Sequence, residues 1–84
     1  MARWIKATGE DEIVNPKNGN DFKLKELQGY VDGLIEIVYL SNELIMVVNE
    51  EGMIDGLPLN PLASEIAGHL IAGDVLICKN EEVK

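Results

Sequence analysis

The sequence predicts an α+β domain: one mainly antiparallel sheet with two helices, in the order β-α-β-β-α-β. Three observations predict it. Residues 34–40 and 44–48 are apolar, β-branched runs separated by three residues, the length of a hairpin connection. Ahead of them, Leu24, Leu27, Gln28 and Val31 mark one face of a helix. Behind them, Asn60-Pro61 opens a second helical stretch, and residues 75–78 form a closing apolar strand. A chain of 84 residues makes a single domain, 1–84, that buries about 60–65% of its unfolded surface.

In chain order, the first strand is expected over residues 3–7 and carries Trp4. Thr8-Gly9-Glu10-Asp11-Glu12 reads as a polar turn, with Ile13-Val14 a second strand piece. In the loop 15–20, Pro16 fixes φ and Asn18-Gly19 accepts positive φ. Phe22 leads into the first helix. Asp21 is the nearest capping side chain, although Lys23 falls at the N-cap position itself. Gly29 weakens this helix by about 1 kcal/mol relative to Ala, and Gly33 is a natural stop. After the hairpin, residues 49–60 turn the chain on Gly52 and Gly56. Asn60 then caps a helix over 61–67, Pro61 sits where a missing N–H costs nothing, and Gly68 ends it. Leu70-Ile71 join the closing strands around a turn at 72–74, and residues 79–84 are charged and expected to fray. The order matches a ferredoxin-like arrangement, for which the second helix is short.

Charge is unevenly distributed. Arg3, Lys6, Lys17, Lys23 and Lys25 all precede residue 26, whereas residues 26–78 hold nine acids and no Lys or Arg. The net charge of −8 argues against broad binding to nucleic-acid phosphate. No apolar run reaches the ~18 residues of a membrane span, and the opening residues do not read as a secretory leader. Cys78 is a single cysteine and makes no internal disulfide. The expectation is a soluble intracellular protein, with no membrane and no direct nucleic acid binding.

A strand half exposed to water alternates apolar and polar residues, and these strands do not. Leu34, Glu36, Val38 and Leu40 lie opposite Ile35, Ile37 and Tyr39; Leu44, Met46 and Val48 lie opposite Ile45 and Val47. If both helices cover one face, the other needs a cover of its own, because monomers rarely show large apolar patches. A homo-oligomer, joined through that face or through strand edges, is the expected answer.

No reaction is legible. His69, the only histidine, follows Gly68 at a helix end with no second ligand or catalytic partner nearby. Cys78 lies in an apolar run and reads as buried and inert. Glu50, Glu51 and Asp55 match no calcium loop, and Gly52 and Gly56 lack a phosphate-cradling spacing. No enzymatic activity, cofactor or metal is expected. Asp74 reads as a turn cap. Glu36, the one charge in an apolar strand, is expected either to sit on the exposed edge of its face or to pair with Lys6 or Arg3 on a neighbouring strand. The candidate binding residues are Arg3, Lys6, Lys17, Lys23 and Lys25 for phosphate, Trp4 and Tyr39 for stacking on a base, with core or interface packing the alternative role of the two rings, and Asn60 at a helix start.

The stretches NPKNGNDFKLKELQGYVDGLIEIVYL, IMVVNEEGMIDGLPLNPLA and AGDVLI cover most of the chain in order. They resemble a phage and mobile-element family known as domain of unknown function 3846. That family usually shows Ser or Thr at the position of Lys23, within a capping box, and often Arg or Lys where this chain has Pro61. The resemblance implies no established activity. It implies a short protein made inside an infected bacterium, often encoded near genes that blunt host defences, that acts stoichiometrically by binding. A host protein is the first partner expected. An oligomeric sponge for a signalling nucleotide and an accessory structural subunit of a phage assembly are the alternatives.

Overall fold

The computed structural model describes residues 1–83. The elements are β1 (Ala2–Ile5), β2 (Asp11–Val14), α1 (Leu24–Val31), β3 (Ile35–Tyr39), β4 (Leu44–Asn49), α2 (Pro61–Ala67) and β5 (Val75–Lys79), then a 3-10 turn, Asn80–Glu82. The strands form one sheet in the order β2-β1-β5-β4-β3, with every neighbouring pair antiparallel. The α+β class and the single antiparallel sheet are as the sequence predicts. Asp11 and Glu12 belong to β2 rather than to the turn before it. Their carboxylates meet Arg3 at 2.6 Å and Lys6 at 3.2 Å, and these pairs hold an otherwise poor strand sequence against β1.

The arrangement is not ferredoxin-like. In that split βαβ the strands joined by a crossover helix run parallel, whereas here β4 and β5, joined through α2, are antiparallel neighbours and the helices lie on opposite faces. On one face, Leu27 and Val31 of α1 pack with Phe22, Ile45, Val47 and Leu76. On the other, Ala63 of α2 and Ile71 pack with Ile5, Met46, Val48 and Val75. The central strands β4 and β5 are apolar on both sides because both sides are roofed. The helices do not share a face: each side of the central strands has a helix of its own, while Ile13 and Leu44 stay exposed on the α2 side toward β2.

The buried face of α1 is Leu27, Tyr30 and Val31. Leu24 stays exposed, because Phe22 fills the interior at that end from just outside the helix. Asp32 ends α1 at φ 60°, its N–H on the Gln28 carbonyl, one residue before the expected stop. Gly33 is needed for space instead: a Cβ there would lie 2.6 Å from Asn49 Nδ2. The second helix has the predicted bounds, with Asn60 at its N-cap and Gly68 closing it at φ 81°. Leu70 and Ile71 join no strand; Ala72 makes a single bridge to Leu59. Residues 79–83 do not form a loose tail. Lys79 extends β5, the Phe22 N–H donates to the Glu82 carbonyl at 2.6 Å, and Val83 packs against the α1-side core. Lys84 lies outside the described residues.

Candidate functional site

β3 is an edge strand. The Glu50 N–H donates to the Leu34 carbonyl at 2.8 Å, and the Leu40 N–H donates to that of Leu44 at 3.0 Å. Residues 34, 36, 38 and 40 therefore direct their backbone groups to β4, and Ile35, Ile37 and Tyr39 direct theirs to the open edge. The opposite edge, β2, is four residues long and carries Asp11 and Glu12, charges that blunt an edge against pairing. β3 carries one charge, Glu36.

Beside β3 lies a cleft of about 470 Å³. Val38, Val48, Ile71 and Ala72 line it, with Met53, Ile54 and Leu70 as apolar wall residues and Glu36, Glu50 and His69 among its polar groups. Ile54 is 83% exposed, Leu70 63% and Met53 57%. Large apolar side chains gathered in water mark an interaction surface. The wall is anchored. The Asp55 N–H donates to the Glu51 carbonyl at 2.8 Å and the Leu57 N–H to that of Gly52 at 2.9 Å. Asn49 pins the base of this turn: Nδ2 donates to the Val31 and Asp32 carbonyls at 3.1 and 3.2 Å, and Oδ1 accepts from the Glu51 N–H at 2.8 Å. Gly52 lets the turn lie against residue 72, since a Cβ would meet the Ala72 carbonyl oxygen at 2.8 Å.

Glu36 does not meet Lys6 or Arg3, because β5 and β4 separate its strand from β1. It has no ion-pair partner among the described residues, and the residues lining the cleft include no Lys or Arg. Sequence reasoning missed this cleft. The signal available was Met53-Ile54, two large apolar residues in a run of acids and glycines where a turn has no need of them.

The residues expected to bind a ligand divide between places. Trp4, Lys17 and Lys25 line a 240 Å³ pocket with Tyr30, and Lys17, Lys23 and Lys25 line a second of 330 Å³ that shares two of those lysines. The Trp4 ring meets Tyr30 edge-on at 5.0 Å, Nε1 donates to the Tyr30 carbonyl at 3.2 Å, and Lys6 sits 4.2 Å above the ring. A hydrogen bond to Glu12 raises the pKa of Lys6. Lys23 is the N-cap of α1 without a side-chain cap bond, and its ammonium pairs with Asp21 at 3.2 Å. Glu26, in the first turn of α1, accepts from the Lys17 N–H. Arg3 is held by Asp11, a hydrogen bond that raises the Arg3 pKa and lowers that of Asp11. Tyr39 is 75% exposed on the far edge strand. Asn60 is fully buried: Oδ1 accepts from the Ala63 N–H at 3.1 Å, and Nδ2 donates to the Ile5 and Gly73 carbonyls, both at 3.0 Å. Its side chain is structural, with no group left for a ligand.

The remaining polar side chains have local roles. Asp74 accepts from the Ala7 N–H at 2.9 Å, and a ring nitrogen of His69 lies 3.4 Å from the Leu70 carbonyl. Burial pushes the Cys78 thiol up to about 11, with the Glu82 charge adding to it. Among the described residues, no group of three or more His, Cys, Asp and Glu is placed to hold a metal ion, and no helix is long and apolar enough to cross a membrane.

No curated protein and no solved structure matches this chain. One family model does, a domain of unknown function (DUF3846), over residues 5–84. The match runs from the end of β1 through every later element, including both walls of the cleft, and the chain belongs to that family, DUF3846.

Proposed function

We propose that this protein is a non-enzymatic binding module that occupies a polypeptide partner stoichiometrically through the cleft beside β3. One observation carries the reading: an unpaired strand edge coincides with three exposed apolar side chains, Met53, Ile54 and Leu70, in a cleft lined by no Lys or Arg. Two features of the reactive side chains support the non-enzymatic part of this reading. The Cys78 thiol is buried and protonated at neutral pH, and the polar contact of the His69 ring is with the next residue's carbonyl. Such a binder suits the setting that the family resemblance implies, a phage or mobile-element protein that occupies a host defence protein. A second reading, a nucleotide sponge, has one observation behind it: Trp4, Lys17, Lys23 and Lys25 line pockets that share residues. It ranks lower because Glu26 stands among these lysines and Trp4 is already flanked by Tyr30 and Lys6.

Selection of displayed random peptides against the protein tests the proposal. Enrichment that Ile54→Glu abolishes and Lys25→Glu spares supports the cleft. Enrichment lost only in Lys25→Glu, or thermal stabilisation by several degrees with cyclic or linear nucleotides, overturns it in favour of the second reading.

A further inference from the structure

Resting on that polypeptide-binding reading, we propose that the partner segment joins the sheet as a sixth strand on β3 and carries a lysine or arginine opposite Glu36. The edge supplies the backbone half of the argument. Ile35, Ile37 and Tyr39 present their N–H and C=O groups outward, with no partner among the described residues. A row of this kind is a template for an extended chain. β3 contains no Pro and no Lys, the usual guards of an edge.

The side chains supply the other half. In a paired strand, the residue opposite Glu36 shares its face, with the two Cβ atoms about 4.5–5.5 Å apart. That face is the α2 side, where Glu36 and Glu50 both line the cleft and no residue from 26 to 78 is a Lys or Arg. A cation at that place gains an ion pair, and an acid is repelled. Its neighbours on the same face are apolar, because they lie beside Val38 and toward Met53, Ile54 and Leu70. On the other face the segment continues the half-buried layer of Ile35 and Ile37 over the α1-side core. A second copy of this chain fits less well, since β3 has no cation of its own to place against Glu36.

The test uses the whole chain, ¹⁵N-labelled, and an acetylated, amidated octapeptide of alternating threonine and valine with a central lysine. Two N-methylated analogues each block one alternate set of amides, and so one edge of the peptide strand. Strand addition predicts amide shifts and gained exchange protection at Ile35, Ile37 and Tyr39. One methylated analogue keeps its binding and the other loses it by about tenfold or more. Replacing the peptide lysine with glutamate weakens binding about tenfold, and Glu36→Lys reverses that preference. Tyr39→Pro, which removes an outward N–H without touching the β4 ladder, weakens binding as well. Equal binding of the two methylated analogues, no charge preference, or shifts confined to the Trp4–Lys25 side would overturn the inference. A concentration-dependent dimer of the protein alone, dissociated by Tyr39→Pro, would overturn it by assigning the edge to a second copy. If none of these octapeptides binds while display-selected peptides still require Ile54, strand addition fails and the polypeptide-binding reading stands.

Discussion

Asn60 ties three distant parts of the chain together. Its amide reaches carbonyls 55 and 13 residues away while its oxygen caps α2. Asn60→Ala removes the cap of the Ala63 N–H and two donations to interior carbonyls, so it should cost about 3 kcal/mol in urea unfolding. Asn60→Asp keeps the cap but aims a carboxylate at two carbonyls, and should cost no less. At the other helix, Lys23→Ser supplies the missing cap and should raise stability by about 1 kcal/mol. Cys78 should resist alkylation: with the thiol at about 11, roughly one in a thousand is thiolate at pH 8, so unfolding should speed labelling well over tenfold. The carboxyl of Asp11 titrates below its usual 3.8 because Arg3 hydrogen-bonds it. A lowered folded value contributes stability above the unfolded one, and that stability is lost as the pH falls through 3.8 and below. Arg3→Ala should return the Asp11 titration, followed by carboxyl NMR, toward its ordinary position. The cap, the helix-opening proline and the closing glycine of α2 were legible because those signals are local. The further role of Asn60 was not, because its other partners are set by tertiary contact.

Parity along β3 separates residues that sequence alone treats alike. Val38 gives its N–H to β4, whereas Tyr39 gives its own to the open edge. Val38→Pro should therefore cost about 3 kcal/mol or more, while Tyr39→Pro should stay within about 1 kcal/mol of the parent in chemical denaturation. The β3–β4 hairpin was readable from its β-branched runs. β2 was only half readable: Asp11 and Glu12 are poor strand formers, and the ladder to β1 that holds them is joined by ion pairs to Arg3 and Lys6. The sides taken by the helices could not be read at all, because the central strands are equally apolar above and below. The cleft was hidden for a related reason. Its wall combines Met53-Ile54 with Leu70, from turns on either side of α2, and their meeting depends on the absence of a Cβ at Gly52.

With a helix packed on each face of the central strands, the free protein is expected to run as a monomer of 9.3 kDa in light scattering at micromolar concentration. The strand that completes the molecule is also the last one made. β5 lies between β1 and β4, and its pairing with β1 sets Arg3 against Ile77. Until residues 75–79 leave the ribosome, the two hairpins have no strand between them, and each offers a bare inner side. Synthesis of this domain therefore gives no stepwise reward. Nascent chains arrested after residue 74 should remain fully protease-sensitive, and resistance should appear only once the final strand has emerged. Long-range closure of this kind is slow for a chain so short, and the interval before it is when the growing polypeptide is most open to capture by a chaperone or by another unfinished copy.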